Sequence, residues 1–283
     1  MNKSNFIFNN YTHEYLTIGE NSNHSQKAII AFHGFGRKAE DFRIFESCLS
    51  EDQIIYSFNL IGHGNSKFTH DQQEQIDPLA YSEFILAFAN FKNFSKFSLL
   101  GYSLGGKICM MLLQHLSQHI DGFMLIAPDG VKVNRYYRFA SSTAIGKWLF
   151  NLAVDYPAPV LRVTDFLKFI GIFNNRLHKF IYINMEERAT RALVREVWII
   201  YARFLPNIKL VQELLNEHVP HTVLIYGLHD SVIKLWQGEK LNRGLKKSSL
   251  HVLDTGHLLL EGRTIAYLEE NDLWFPPAEG DSI

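Results

Sequence analysis

Along the chain, short apolar runs rich in Ile, Val, Leu and Phe alternate with longer stretches of helical periodicity. The runs near residues 27–33, 53–59, 96–102, 122–127, 222–227 and 249–254 predict buried strands, and residues 5–19 predict an opening pair of strands. Helical segments separate most of them. Alternation of this kind predicts an α/β fold, a mostly parallel central sheet with helices on both faces. Between about Val131 and Val219 the rhythm stops and the stretch reads as several helices, including an amphipathic one over 186–205. A block of that length is too long for a loop in a compact core, so it predicts an inserted helical cap. The expected organisation is a first core part at 1–130, a cap at 131–219, a second core part at 220–275 and a flexible tail at 276–283.

One strand prediction leads directly to chemistry. Gly101-Tyr102-Ser103-Leu104-Gly105 sits between the apolar run ending at Leu100 and a helix-like stretch starting near Gly106. A serine hydroxyl becomes a useful nucleophile on a sharp strand-to-helix turn, where a base takes its proton and backbone N–H groups hold the oxyanion. Glycine two positions to either side of Ser103 gives the chain room to fold back. Three further loops follow predicted strands: His33-Gly34-Phe35-Gly36, Gly227-Leu228-His229-Asp230 and Thr255-Gly256-His257. The resulting order, Ser103 then Asp230 then His257, differs from the orders of the chymotrypsin and subtilisin types.

With these motifs the chain resembles the α/β-hydrolase superfamily from about His33 to the helix after His257. A fourth motif, Asn59-Leu60-Ile61-Gly62-His63-Gly64-Asn65-Ser66, looks like that family's glycine-rich loop, although the family usually opens it with aspartate. The resemblance implies Ser103 as nucleophile, His257 as general base and Asp230 as the acid that fixes the imidazole. It implies an oxyanion hole from the N–H groups of Leu104 and Phe35. Asp129, after the run ending at Ala127-Pro128, competes with Asp230, because some relatives carry the acid there. His33 is expected to shape the oxyanion loop, and His63 and His229 to be loop residues.

Two other classes compete. Gly101 to Lys107 fits the first seven positions of a phosphate-binding P-loop, but Ile108 stands where Ser or Thr would ligate Mg²⁺, and that reading leaves the His33 loop and His257 without a role. A non-catalytic binder on the same scaffold would have no need of the complete Ser, Asp, His set.

Composition narrows the classes further. The 283 residues are 47% hydrophobic and 20% charged, enough for a large core. No apolar run is long enough for a membrane span and no leader pattern opens the chain, so a cytoplasmic protein is expected. Cys48 and Cys109 are expected to be free thiols. No finger or basic-helix motif suggests nucleic acid, and no metal or cofactor is expected. The net charge of −1 conceals an asymmetry: residues 131–219 hold 13 Lys and Arg against 7 Asp and Glu, the rest 15 against 22. Helix-face pairs such as Glu187 with Arg191 are the plain explanation. A sharper one is that Arg135, Arg138, Arg188, Arg191 or Arg195 meets an anionic substrate. The cap aromatics are expected mostly to pack inward. The expected activity is hydrolysis of a small or medium carboxylic ester through an acyl-enzyme, with thioester or carbon–carbon bond (diketo acid) hydrolysis as alternatives.

Overall fold

The structure is a computed structural model that describes residues 3–19, 26–69, 75–133, 135–173 and 175–277. It divides into two compact units. The first comprises Met1–Asp71, Asp77–Lys132 and Phe204–Ile283, the second Gln72–Ile76 and Val133–Arg203.

The first unit is built on a nine-stranded sheet of β1 (Lys3–Phe8), β2 (Tyr11–Ile18), β3 (Lys27–Phe32), β4 (Gln53–Phe58), β5 (Lys67–Phe68), β6 (Phe97–Tyr102), β7 (Ile120–Ile126), β8 (Thr222–Gly227) and β9 (Ser248–Leu253). Their order is β1-β2-β4-β3-β6-β7-β8-β9, with β5 paired to β2. From β4 to β9 the pairing is parallel, whereas β2 meets β1, β4 and β5 antiparallel. Every residue of β4, β6 and β8 is buried, which a parallel sheet covered on both faces requires. The edge strands β1 and β9 are much more exposed. Nearly all of this strand pattern follows from the apolar runs. The two-residue β5 was not anticipated, since two residues carry no periodicity.

The α-helices among the described residues are α1 (Pro78–Phe91), α2 (Leu104–Leu116), α3 (Arg135–Ser142), α4 (Ala144–Asp155), α5 (Pro157–Phe169), α6 (Asn175–Met185), α7 (Arg188–Ile200), α8 (Ile208–His218), α9 (Leu235–Asn242) and α10 (Gly262–Glu270). Asp77 caps α1 by accepting the Leu79 and Ala80 N–H groups, with Pro78 in the first turn. α2 is buried along most of its length and packs on β3, β6 and β7.

α8 falls on the other side of the division from the rest of the expected cap. It lies in the first unit, with Val211 and Leu215 buried and the helix packed against α2, so the second unit ends at Arg203 rather than near residue 219. A helical period shows which face is buried but not what buries it. The chain just before and at the start of the expected tail is hydrogen-bonded to the core. Buried Gln53 donates from Nε2 to the carbonyls of Phe275 and Pro276, at 2.8 and 3.0 Å, and accepts the Trp274 indole N–H at 2.9 Å. Residues 278–283 lie outside the described residues.

The second unit contains α3 to α7. α7 is shorter than the predicted 186–205 helix. The side chains of Phe150 and Tyr137 meet Trp198 on α7 at 5.5 and 5.1 Å between ring centroids.

The strand order places a reversal beside β3: β4 lies on one side of it and β6 on the other. In open α/β sheets the crevice beyond the carboxyl ends of such strands is the usual ligand site. The loops after β3 and β6 carry His33 to Gly36 and Ser103.

Candidate active site

Ser103 is the single residue between β6 and α2. Its backbone has φ 52° and ψ −112°, a conformation that L-residues rarely adopt and that costs on the order of 1–3 kcal/mol. The turn is held from both sides. Ser103 N–H donates to Ile126 O at 3.0 Å, and Ser103 O accepts from Gly106 N–H at 3.0 Å and Asp129 N–H at 2.9 Å. Gly105 is required by crowding, since a Cβ there would lie 1.8 Å from Phe32 O. α2 can therefore start against β3 only with glycine at that position.

Asp230 and His257 arrive from two neighbouring strands. β8 and β9 are paired, and beyond them Leu228 N–H donates to Leu253 O at 2.8 Å and His229 N–H to Thr255 O at 3.0 Å. The acid and histidine loops are thus tied together. β9 lies three strand spacings from β6, about 14 Å, so these loops must reach back across the sheet end to meet Ser103. They do. His257 Nε2 lies 3.2 Å from Ser103 Oγ, and His257 Nδ1 lies 2.7 Å from Asp230 Oδ2. The Asp230 side chain has no exposed surface, and its Oδ1 accepts the N–H groups of Val232 and Ile233 at 2.7 and 2.8 Å. The His257 side chain is 22% exposed.

Asp129 is elsewhere. Its carboxylate is 3.9 Å from the Nζ of buried Lys107, so the structure gives His257 to Asp230. That ion pair also engages the lysine on which the phosphate-loop reading relied.

The loop after β3 passes beside the serine: a Cβ on Gly34 would lie 3.2 Å from Ser103 Cβ. Phe35 and Leu104, the expected oxyanion donors, follow Gly34 and Ser103 in sequence. As the first residue of α2, Leu104 has an N–H that the helix itself cannot satisfy. His33 fixes the other loop. Its Nδ1–H donates to Gly34 O at 2.7 Å and its Nε2 accepts Leu60 N–H at 3.1 Å, which defines the tautomer. Burial, assisted by the neighbouring His63, pushes its pKa down to about 3. His33 is therefore a neutral clamp. His63 Nε2 accepts Gly36 N–H at 3.1 Å and secures the far side of the same loop.

Asn59, the departure from the family pattern, has a physical reason here. Its Oδ1 accepts Ala39 N–H at 2.8 Å and its Nδ2 donates to Glu14 Oε2. Burial alone would raise the Glu14 pKa, but donors from Asn65 and Asn59 and the Lys3 charge hold it below the usual range. Aspartate at position 59 would set a second carboxylate against the first. Nearby, His13 Nδ1 donates to Asn59 O at 2.9 Å, and Ser66 Oγ donates to the same carbonyl at 2.7 Å while accepting Glu14 N–H.

Tyr102 was not anticipated. Its hydroxyl donates to His257 O at 2.7 Å and its ring stacks on the imidazole at 5.5 Å, with burial pushing its pKa up to about 12. Its place between Gly101 and Ser103 was the signal available.

The arginines proposed for an anionic substrate are mostly engaged. Arg191, expected to pair with Glu187, is buried and donates instead to the carbonyls of Val154, Met185 and Glu186 at 2.8, 2.6 and 3.2 Å. Arg188 pairs with Asp155 at 2.8 Å, and Arg195 Nε donates to Asn151 Oδ1. Arg138 is exposed, while the Arg135 side chain lies outside the described residues. Cys48 and Cys109 are free thiols, both with pKa values raised by burial. Among the described residues, no group of three or more His, Cys, Asp or Glu is placed to hold a metal, and no helix is long and apolar enough to cross a membrane.

A hydrogen-bonded serine–histidine–aspartate chain beyond a mostly parallel sheet, with a strained strand-to-helix turn, defines a class. Residues 27–264 match the α/β-hydrolase fold family, and the chain belongs to it. A Mycoplasma pneumoniae protein named "Putative esterase/lipase 2" is 28% identical over 171 residues, 57% of this chain and 60% of that protein. The chain thus spans less than two thirds of that relative's length. Among solved structures, an esterase from Thermogutta terrifontis with malate bound superposes with a TM-score of 0.65 at 14% identity, covering 95% of this chain and 97% of that one. MGS-M2, an α/β hydrolase enzyme from a Medee basin deep-sea metagenome library, gives 0.67 at 12% identity, covering 98% and 100%. At these identities the likeness shows the fold.

Proposed function

We propose that the protein is a serine hydrolase acting on a small or medium carboxylic ester. The observation that carries this reading is the unbroken relay of Ser103 Oγ, His257 and Asp230 at 3.2 and 2.7 Å, on a turn whose serine backbone is strained. His257 Nε2 accepts the Ser103 proton as Oγ attacks the ester carbonyl. Asp230, held by two backbone N–H groups, keeps the imidazole proton on Nδ1 and stabilises the imidazolium. The N–H groups of Leu104 and Phe35 receive the oxyanion, each donor contributing ~2.7–4 kcal/mol in the transition state. His257 then protonates the leaving alcohol, and water attacks the acyl-enzyme by the reverse route.

An ester is favoured because a simple serine triad suits an alcohol leaving group, and a relative bears an esterase/lipase name. The inserted second unit is read as a helical cap. The test is labelling with a fluorophosphonate, followed by turnover of a panel of esters, thioesters and diketo acids. Native protein should be labelled and should favour esters, and Ser103→Ala should be inert in both assays. Labelling that survives in Ser103→Ala removes Ser103 from its role.

A further inference from the structure

The second unit has an inverted surface. Along α5 the buried position is Thr164, while Val163, Phe166 and Phe169 face solvent, Phe166 at 60% and Phe169 at 87% exposure. The turn that follows continues the trend, with Ile170 and Ile172 exposed on either side of Gly171. α5 and α6 pack against each other, so residues 169–172 form the apolar tip of a helical hairpin. On α4 the positions Ile145, Trp148, Leu149 and Leu152 are also exposed, spaced three and four apart along one stripe, with Trp148 at 61%. The opposite stripe of α4, Phe150, Ala153 and Val154, is buried. α4 is therefore apolar on two faces and uses one of them for its own packing.

So many exposed large apolar side chains, on α4, on α5 and in the turn after it, mark contact with something other than water. Charge selects the occupant. Residues 133–203 contain eleven Lys and Arg against five Asp and Glu, a net +6. Two of those acids are already paired: Asp155 with Arg188, and Asp165 with His178 at 2.7 Å and Tyr182. Arg162 and Lys168 are exposed on α5 beside the apolar residues. A second copy would bring another +6 against this one. An anionic surface accepts the charge, and its hydrocarbon accepts the side chains. Helices with Trp, Phe and Ile outward and Lys or Arg beside them lie in the plane of a lipid interface. We propose that the 169–172 tip and the exposed stripe of α4 dock the protein on an anionic lipid bilayer. The reading rests on the surface alone and holds whether or not Ser103 is a nucleophile.

The test is cosedimentation of the full chain with vesicles of phosphatidylcholine alone and of phosphatidylcholine with phosphatidylglycerol. Native protein should bind the anionic vesicles at least tenfold more tightly and release in high salt. Its Trp148 emission should shift to the blue, and Trp148→Phe should abolish that shift. Phe169→Ser with Ile172→Ser should weaken binding at least tenfold, as should Arg162→Glu with Lys168→Glu. All these side chains are exposed, so far-UV circular dichroism and the melting temperature should match the native chain. Native protein that ignores anionic vesicles, binds neutral ones equally, or binds undiminished in the tip variant would overturn the proposal. So would a dimer in sedimentation velocity that the tip variant abolishes while vesicles go unbound.

Discussion

Lowering the pH should destabilise this fold well before its carboxylates protonate, because two histidines are locked in the neutral form. His13 and His33 are both fully buried, and burial pushes their pKa values down to about 4 and about 3. His13 sits in a box of Phe58, Tyr81 and Phe84 with its Nε2 unpartnered, so a second proton there would have no acceptor. In the unfolded chain both rings titrate near 6.5. As the pH falls below that value the unfolded state gains protons that the folded state refuses, and stability falls until the folded values are reached. From pH 8 to pH 5 each ring then removes about 2 kcal/mol and the pair about 4 kcal/mol, against a typical total of ~5–15 kcal/mol. His63, His221 and His251, also lowered by burial, act in the same direction. Glu14 and Glu40, whose pKa values are lowered, contribute losses only below this window. The assay is urea unfolding at pH 8, 7, 6 and 5 at fixed ionic strength, with imidazole resonances followed in the folded state. His13→Phe should be less stable at pH 8 yet lose about 2 kcal/mol of the pH-dependent part. Stability that is flat from pH 8 to 5, or a folded-state midpoint near 6.5 for either ring, would refute the reasoning.

Other perturbations test the site directly. Asp230→Asn should lower kcat by about 10³–10⁴-fold with little change in KM, whereas Asp129→Asn should alter kcat only slightly; ester hydrolysis by the two variants separates them, and the reverse pattern would exchange their roles. Asn59→Asp should cost ~3–5 kcal/mol by facing Glu14 with a second buried carboxylate, and adding Glu14→Gln should recover part of it. Strict additivity of those two changes in urea unfolding would mean that the carboxylates do not meet. Gly105→Ala should lose at least the ~1–3 kcal/mol of an overpacked core, because its methyl meets the Phe32 carbonyl, which cannot withdraw without breaking β3 from its neighbours. A native melting temperature in that variant would refute the crowding argument.

The parts of this site legible in the sequence are those whose cause is local. Gly105 is glycine because a methyl would strike backbone one strand away, and that requirement appears as a letter at a fixed offset from Ser103. Asp230 and His257 were readable because each follows an apolar run closely, and a parallel sheet gathers the carboxyl ends of its strands. What could not be read depends on distant partners. Glu14 and Asn59 are 45 positions apart, and nothing in either segment shows that one donates to the other. Arg191 has a pairing partner at helix spacing, yet its guanidinium reaches carbonyls on α4 and at the end of α6, which sequence spacing does not encode. Thr164 and Phe166 sit with their burial reversed from what polarity predicts, and so the cap aromatics expected to pack inward are in part exposed.

The proposed nucleophile Ser103, base His257 and acid Asp230 stand at the ends of three different strands, so their alignment is a property of the sheet rather than of any loop. The Ser103 turn cannot relax its φ without losing the N–H to Ile126 O and the bond from Asp129 N–H, which tie it to β7. The His257 loop cannot drift without losing the Tyr102 hydroxyl, and Tyr102 is itself the residue before the turn. His257 and Ser103 are thus fastened to the same two residues of β6 and its turn. A distortion of β6 moves them together and leaves the 3.2 Å separation largely intact, whereas a distortion of β3 moves the Gly34 loop relative to both. Damage to β3 should therefore lower kcat through lost oxyanion stabilisation with Ser103 and His257 still paired, whereas damage at Tyr102 should disturb that pairing itself.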